Sequence, residues 1–396
     1  MKNIFFLMKY YLDPNESPPF PKFDYQMQAL TNLGYRISFL GIERGTIFLC
    51  SDNTRTQVAK IPLHRIPGIG RLLTFNALYR ATVQIFAKHP HYYVSYIRMM
   101  PAVPPMGRAL KTIKESGCKL VMEFPTFPPE REEATEKRLH RKLFTWISKR
   151  YELHLAHWFD LFSLIGTVQA DSYRGVPAVN ITNGISLEAI PERKYKPSEK
   201  DIHLLGVANV QMMNAYDRII NGIAHYNESR TTGDPDIHFH IVGPDRDGSR
   251  EKLKDLVKTM KIQSYVHFEG PAFGKDLNRF FDTADVAVGS LGLHRIGHTG
   301  IATLKAREYL AHGIPYIASG IDPVIPQDRN WNLNVKQDES PVDMHSVLEF
   351  ISQARSNEEI GAQMREFARK NLSWESQFLQ VFTALESLEE SRKESR

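Results

Sequence analysis

The stretch GIATLKAREYLAHGIPYIAS, residues 300–319, sets Lys305, Arg307 and Glu308 in the first turns of a helix whose remaining residues are mostly apolar. Lys305 and Glu308 are three apart and so share a helix face. The loop leading to this helix carries His294, Arg295, Gly297, His298 and Gly300. Together these residues make a set suited to phosphates and sugars. Cations and the unpaired amides of a helix head (Thr303, Leu304 and Lys305) hold an anion, and glycines let a ligand come close to the backbone. A carboxylate accepts hydrogen bonds from vicinal hydroxyls. The same residues also read as a solvated helix face, whose exposed pairs contribute under about 1 kcal/mol. Taken alone, the stretch leaves both readings open.

The elements that must position these residues alternate regularly. VAVGS ends as a strand at Ser290, and a helix is expected from Thr303 to Gly313, a C′ residue with Pro315 beyond it. Its head therefore falls at the carboxyl edge of a parallel sheet, where open α/β sheets bind ligands. Upstream, the runs IHLLGVAN, IHFHIVG and VHFEG alternate with helical stretches near 216–227, 248–260 and 274–283. IFFLM, RISFL, YYVSYI, KLVMEF and DLFSLIG give the first half a similar plan. Strand–helix alternation of this kind predicts an α/β fold of two tandem doubly wound, Rossmann-like domains facing a cleft. The expected boundaries are 1–182 and 183–372, joined through the turn at Asn183–Gly184 and the polar stretch PERKYKPSEKD. Helical patterns follow at 341–354 and 357–371, and 373–396 forms a closing helix with Ser373 as its N-cap.

At 396 residues the chain is long for a single core, and neither repeats nor low complexity are evident. Residues 1–180 hold 24 Lys+Arg against 14 Asp+Glu, whereas 181–396 hold 26 against 31. An uneven balance of this kind fits a first half that meets an anionic surface or substrate, or simply an uneven spread of charge. Cys50 and Cys118 are the only cysteines, which gives neither a disulfide framework nor a metal-binding spacing. The histidines are scattered; no catalytic metal, cofactor or nucleic-acid partner is expected. The first residues, MKNIFFLMKYY, read as a buried strand rather than a leader, and no stretch is apolar enough to span a membrane. A cytoplasmic location is expected, with membrane contact confined to the inner face of the plasma membrane.

LKAREYLAHGIPYIAS resembles the nucleotide-sugar signature of the retaining GT-B glycosyltransferases of family 4, and neighbouring segments agree in order. VNITNGIS is similar to the end of their first domain, and LLGVAN with YDRIINGIAHY to the first strand and helix of their donor domain. HIVGPD (with Gly243) resembles the second donor-domain strand, VHFEG (with Glu269) the base-contacting loop, and SWESQFLQVFTALE the closing helix. The resemblance implies that Glu308 binds the donor ribose and that the helix head faces the diphosphate. It further implies transfer of a sugar, with retention, to a saccharide or polyprenyl-linked saccharide, in bacterial surface polysaccharide assembly such as capsule or exopolysaccharide synthesis.

The chain departs from that family pattern in three places. Gly300 occupies the position of a frequent second glutamate, and Asn209 and Asn214 stand where an arginine and a lysine are common. The diphosphate clamp would then fall to Lys305, Arg295, His294 and Arg218, although Asp217 and Arg218 also read as the solvated start of a helix. A degenerate binding subunit and a nucleotide-sugar epimerase of the same fold stay open as alternatives. In the first half, Glu123 is expected at the end of the strand KLVMEF, with Pro125 halting the run, either as a base for an acceptor hydroxyl or as a structural carboxylate. EKRLHRKLFTWISKRY, residues 136–151, is amphipathic at helical spacing and suits an anionic membrane surface or an ordinary sheet-facing helix. The loop DPNESPPFPKFDYQ, where relatives often carry glycines, suits the acceptor side.

Overall fold

The computed structural model describes residues 2–394 apart from 14–20, 53, 65, 67–68, 130–147, 149, 167, 199, 246 and 298–302. Most of the amphipathic segment 136–151, the centre of the loop after the first strand, and both His298 and Gly300 therefore lie outside the described residues. The chain divides into two compact units, Met1–Thr182 with Trp374–Arg396, and Asn183–Ser373.

The first unit opens with β1 (Asn3–Tyr11), α1 (Pro21–Asn32) and β2 (Arg36–Glu43). After β3 (Thr46–Ser51), β4 (Thr54–Lys60) and α2 (Ile69–Lys88) come β5 (Val94–Arg98), α3 (Pro105–Glu115) and β6 (Lys119–Phe127). β7 (Leu161–Gly166), β8 (Ser172–Tyr173) and β9 (Val176–Ile181) complete it. The sheet order is β4-β3-β2-β1-β5-β6-β7-β9-β8. β3, β4 and β8 pair antiparallel at the two edges, while the inner strands are parallel. Ile4 to Met8 of β1 are all buried, as expected for a parallel strand covered on both faces.

β6 corrects one sequence expectation. The strand does not stop before Pro125 but continues to Phe127, and its pairing with β7 shifts register between Phe124 and Phe127. A register irregularity is where a strand tolerates proline, because no ladder hydrogen bond is lost there. Glu123 is consequently an interior strand residue, opposite Arg98 on β5.

The second unit runs β10 (Asp201–Val207), α4 (Tyr216–Ser229), β11 (Asp236–Val242), α5 (Ser249–Thr259), β12 (Val266–Gly270) and α6 (Gly274–Thr283). It continues with β13 (Val286–Val288), α7 (Leu304–His312), β14 (Tyr316–Ser319), β15 (Asn332–Val335), α8 (Met344–Arg355) and α9 (Ile360–Asn371). All six strands are parallel, in the order β12-β11-β10-β13-β14-β15. The order reverses between β10 and β13, which makes the crevice beyond their carboxyl ends the topological switch point. Alternate strand residues feed two apolar clusters. Leu204, Val286 and Val288 join one, and Leu205 and Ala287 the other, as the two-residue side-chain period demands.

The last helix, α10 (Trp374–Glu394), belongs to the first unit. Trp374, Phe378, Val381, Phe382 and Leu385 recur at helical spacing and pack with Ile4, Phe6 and Met8 of β1. No helix among the described residues is long and apolar enough to cross a membrane.

Candidate functional site

At the switch point of the second unit, α7 starts with Thr303 as its N-cap, whose Oγ1 accepts from the Ala306 amide at 3.3 Å. Its other end is closed by Gly313 in the left-handed region, φ 73°, close against the Gly361 backbone. Arg307 is fully buried and belongs to the scaffold. It bonds Thr303 O at 3.0 Å and grips Asp322 with two contacts of 2.5 and 3.2 Å. The charged head of this helix thus separates into an anchor, Arg307, and a pair turned the other way, Lys305 and Glu308. Leu304 is exposed beside them.

Lys305 retains some exposed surface as a residue, but its Nζ is buried with no hydrogen-bond partner among the described residues. It sits 5.6 Å from the ring centroid of Tyr216, the first residue of α4. Burial pushes its pKa down to about 7, partly offset by the nearby Glu308. Burial likewise pushes Glu308 up to about 7, partly offset by Lys305. A desolvated cation without an acceptor is costly to a fold, and an anionic ligand is what would satisfy it. The phenolic oxygen of Tyr216 is also buried and unpartnered among the described residues.

The loops after β10 and β13 are stitched together around this pair. The amides of Leu291 and Gly292 donate to the carbonyls of Asn214 and Met213 at 3.2 and 3.1 Å. The Asn214 side chain accepts from the Gln211 amide at 2.8 Å, which makes it a buried loop cap. Asn209 is exposed. Between the loops Ala215 takes φ 48°, a left-handed conformation that costs a non-glycine residue free energy and is met more often at ligand sites.

Two of the arginines expected to clamp a diphosphate are committed to the protein itself. Arg218 is 1 % exposed, donating to Leu291 O at 2.8 Å and Ser340 O at 2.7 Å, with Asp338 at 3.4 Å. It ties the loop after β13 to the loop after β15 and is not the solvated start of a helix. Arg295 makes paired contacts to Asp217, at 2.9 and 2.6 Å, and three to Glu339, at 2.5 to 3.2 Å. His294 Nε2 also reaches Glu339, at 2.7 Å. Hydrogen bonds from Arg295, then His294, hold the Glu339 carboxyl far below the usual glutamate range. Of the four proposed cations, Arg218, Arg295 and His294 each bond another residue, whereas Lys305 makes no hydrogen bond to a described residue. Sequence reasoning missed Tyr216 and Glu339. An aromatic opening the helix after β10 was a usable signal for the first, while nothing local marks the second.

Gly243 and Glu269 lie further along the same sheet edge. Gly243 has φ 135°, its amide donates to Gly270 O at 2.8 Å, and a Cβ there would meet Ala208 O at 1.8 Å. Its need is backbone proximity between strand ends, so Gly243→Ala is expected to lower stability by about 1–3 kcal/mol in urea melts. Glu269 pairs with His240 Nδ1 at 2.8 Å.

Glu123, in the first unit, is 0 % exposed. Its carboxylate accepts from Gln26 Nε2 at 2.7 Å, Tyr96 OH at 3.0 Å and Arg98 Nη1 at 2.7 Å, with Lys22 Nζ at 3.6 Å. So enclosed, it anchors two cations at the switch point of that sheet rather than standing open to an acceptor hydroxyl.

Two doubly wound units of this kind define the GT-B glycosyltransferase fold. Residues 201–348 match the family model described as Glycosyl transferases group 1, which spans the whole Lys305–Glu308 neighbourhood. The structure of Anabaena Alr3699/HepE in complex with UDP is similar at TM-score 0.56 and 12% identity, covering 98% of this chain and 100% of that one. A glycosyltransferase from Rickettsia africae ESF-5 gives 0.59 and 11%, with 98% of each chain covered. The catalytic domain of starch synthase IV from Arabidopsis thaliana, bound to ADP and acarbose, gives 0.57 and 9%, covering 98% and 99%. No curated protein sequence matches the chain.

Proposed function

We propose that this protein is a glycosyltransferase that takes a nucleotide-diphosphate sugar on its second unit and transfers the sugar, with retention, to a saccharide or polyprenyl-linked saccharide. The observation that carries the reading is Lys305 Nζ, buried and without a hydrogen-bond partner among the described residues, at the head of α7 and the switch point of a six-stranded parallel sheet. The diphosphate would lie against the α7 amides and Lys305, and Glu308 would take the ribose hydroxyls. Fixed positive charge at the departing diphosphate then stabilises the transition state more than the ground state. The proposal calls for no cofactor. Assembly of bacterial surface polysaccharide is the context proposed for it, and the acceptor is assigned to the first unit, with its excess of basic residues.

The test is a thermal-shift screen against UDP-, GDP-, ADP- and dTDP-sugars. A ligand that binds only the folded state raises apparent stability, by about 2.7 kcal/mol at one hundred times its Kd. One nucleotide class should shift the melting temperature, and Glu308→Ala should abolish the shift. No shift with any donor would sink the assignment. The uncharged Asn209 and Asn214 and the committed Arg218 and Arg295 favour, as a second reading, a subunit that binds donor without transferring it. Such a subunit would show the shift but release no nucleoside diphosphate in the presence of acceptor.

A further inference from the structure

The opposite, amino edge of the second sheet holds a group that the donor site does not use. β10 and β11 each begin with an aspartate, and the register places Asp201 beside Asp236 and His203 beside His238. Because the side-chain period is two, all four project from one face. Like charges directly opposite on neighbouring strands repel. Asp236 has an ion pair with Arg230, whereas the Asp201 carboxylate makes no hydrogen bond or ion pair among the described residues. His238 spends Nδ1 on His267 Nε2, at 3.1 Å, and its Nε2 has no hydrogen-bond partner among the described residues. Its ring stacks between those of His203 and His267, at 5.4 and 5.3 Å. One ligand atom from each of Asp201, Asp236 and His238 can be chosen so that all lie within 4.8 Å of one another.

We propose that Asp201, Asp236 and His238 form a binding site for a divalent transition-metal ion, best suited to Zn²⁺, which ties the first two strands of the unit together at their amino ends. Small side-chain rotations bring the three atoms onto one ion with bonds of about 2.0–2.2 Å, and water completes a tetrahedron. An imidazole among the ligands selects against Mg²⁺ and Ca²⁺, which favour oxygen alone. The His267 contact supplies the second hydrogen bond that a metal-binding histidine usually makes, fixing its tautomer and ring plane. The ion would also neutralise Asp201, which lies beside Asp236 and has no ion pair of its own among the described residues. Its place at the edge opposite Lys305 makes it structural, independent of the donor reading.

The experiment uses the full chain with any affinity tag removed and metal stripped by chelator. Calorimetric titration with ZnCl₂, in excess Mg²⁺, should give one equivalent bound and a rise in melting temperature. Asp201→Asn should weaken binding at least tenfold yet leave the metal-free protein melting no lower than the wild type, because it removes a repelling charge. His238→Gln should abolish binding, and His267→Gln should weaken it by about 10- to 100-fold. Co²⁺ should give the intense visible bands of a tetrahedral site in the wild type and none in His238→Gln. Absence of stoichiometric binding, or binding unchanged by Asp201→Asn, would overturn the proposal. So would binding lost in His240→Gln but kept in His238→Gln, which would move the ion elsewhere on the histidine ladder. Should His238→Gln fail to fold, the Asp201→Asn comparison decides the matter.

Discussion

Glu123→Ala is expected to lower the unfolding free energy by about 3–5 kcal/mol, the usual cost of removing one partner from a buried charge cluster. The carboxylate is wholly enclosed and answers Arg98 at 2.7 Å and Lys22 at 3.6 Å. Without it, two cations with side chains 19% and 10% exposed would be left in a poorly solvated pocket, and Gln26 and Tyr96 would lose an acceptor. Burial alone would raise the Glu123 carboxyl, but Lys22 and then Arg98 outweigh it and hold the group below its ordinary value. A depressed carboxyl stabilises the fold above its unfolded pKa, and that contribution drains away as pH falls through the folded value. The wild type should therefore lose stability on the acid side, and Glu123→Ala should show a flatter acid limb. Urea melts between pH 3 and 7 would show this as a lower midpoint at unchanged slope. A variant as stable as the wild type that no longer transfers sugar would instead restore Glu123 as a base.

The second sheet was legible because its strands are short apolar runs punctuated by helices, and parallel strands covered on both faces must read that way. The hairpin of β3 and β4 was not. TRTQVAK is polar and lies at the sheet edge, so it carries no buried run to notice. β15, NLNV, hides for the same reason. Pro125 misled in another way, since proline usually ends a strand and only the pairing with β7 reveals the irregularity that accepts it. At the site, the three-residue spacing of Lys305 and Glu308 was visible, as one helix face needs no tertiary information. Arg218 and Arg295 looked equally available. What commits them are Leu291, Ser340 and Glu339, between 44 and 122 residues away, and no local pattern reports contacts at that separation.

Lys305→Met should raise the melting temperature of the ligand-free protein while eliminating every donor-induced shift. The lysine holds a charge in a desolvated place with no hydrogen bond from it to a described residue, which is a fault in a fold and an asset in a phosphate site. At pH 6 the neighbouring Glu308, pushed up to about 7 by burial, is mostly protonated, so little attraction is lost with the lysine. Replacing a buried charge by a side chain of similar length then gains about 1–3 kcal/mol. Below pH 7 the lysine is charged in both folded and unfolded chains, and its penalty is complete. From about 7 towards 10.5 the unfolded chain alone keeps the proton, so the penalty fades as pH rises. Glu308 acts in the same direction, because in the variant it must ionise without its cation as the solution becomes more alkaline. The stability gain should thus be largest near pH 6 and shrink steadily above 7, a profile that calorimetry on the two proteins can trace. A ligand-free variant less stable than the wild type at pH 6 would mean that Lys305 is held by the fold for its own sake. A donor shift that survives the substitution would mean that the diphosphate lies elsewhere.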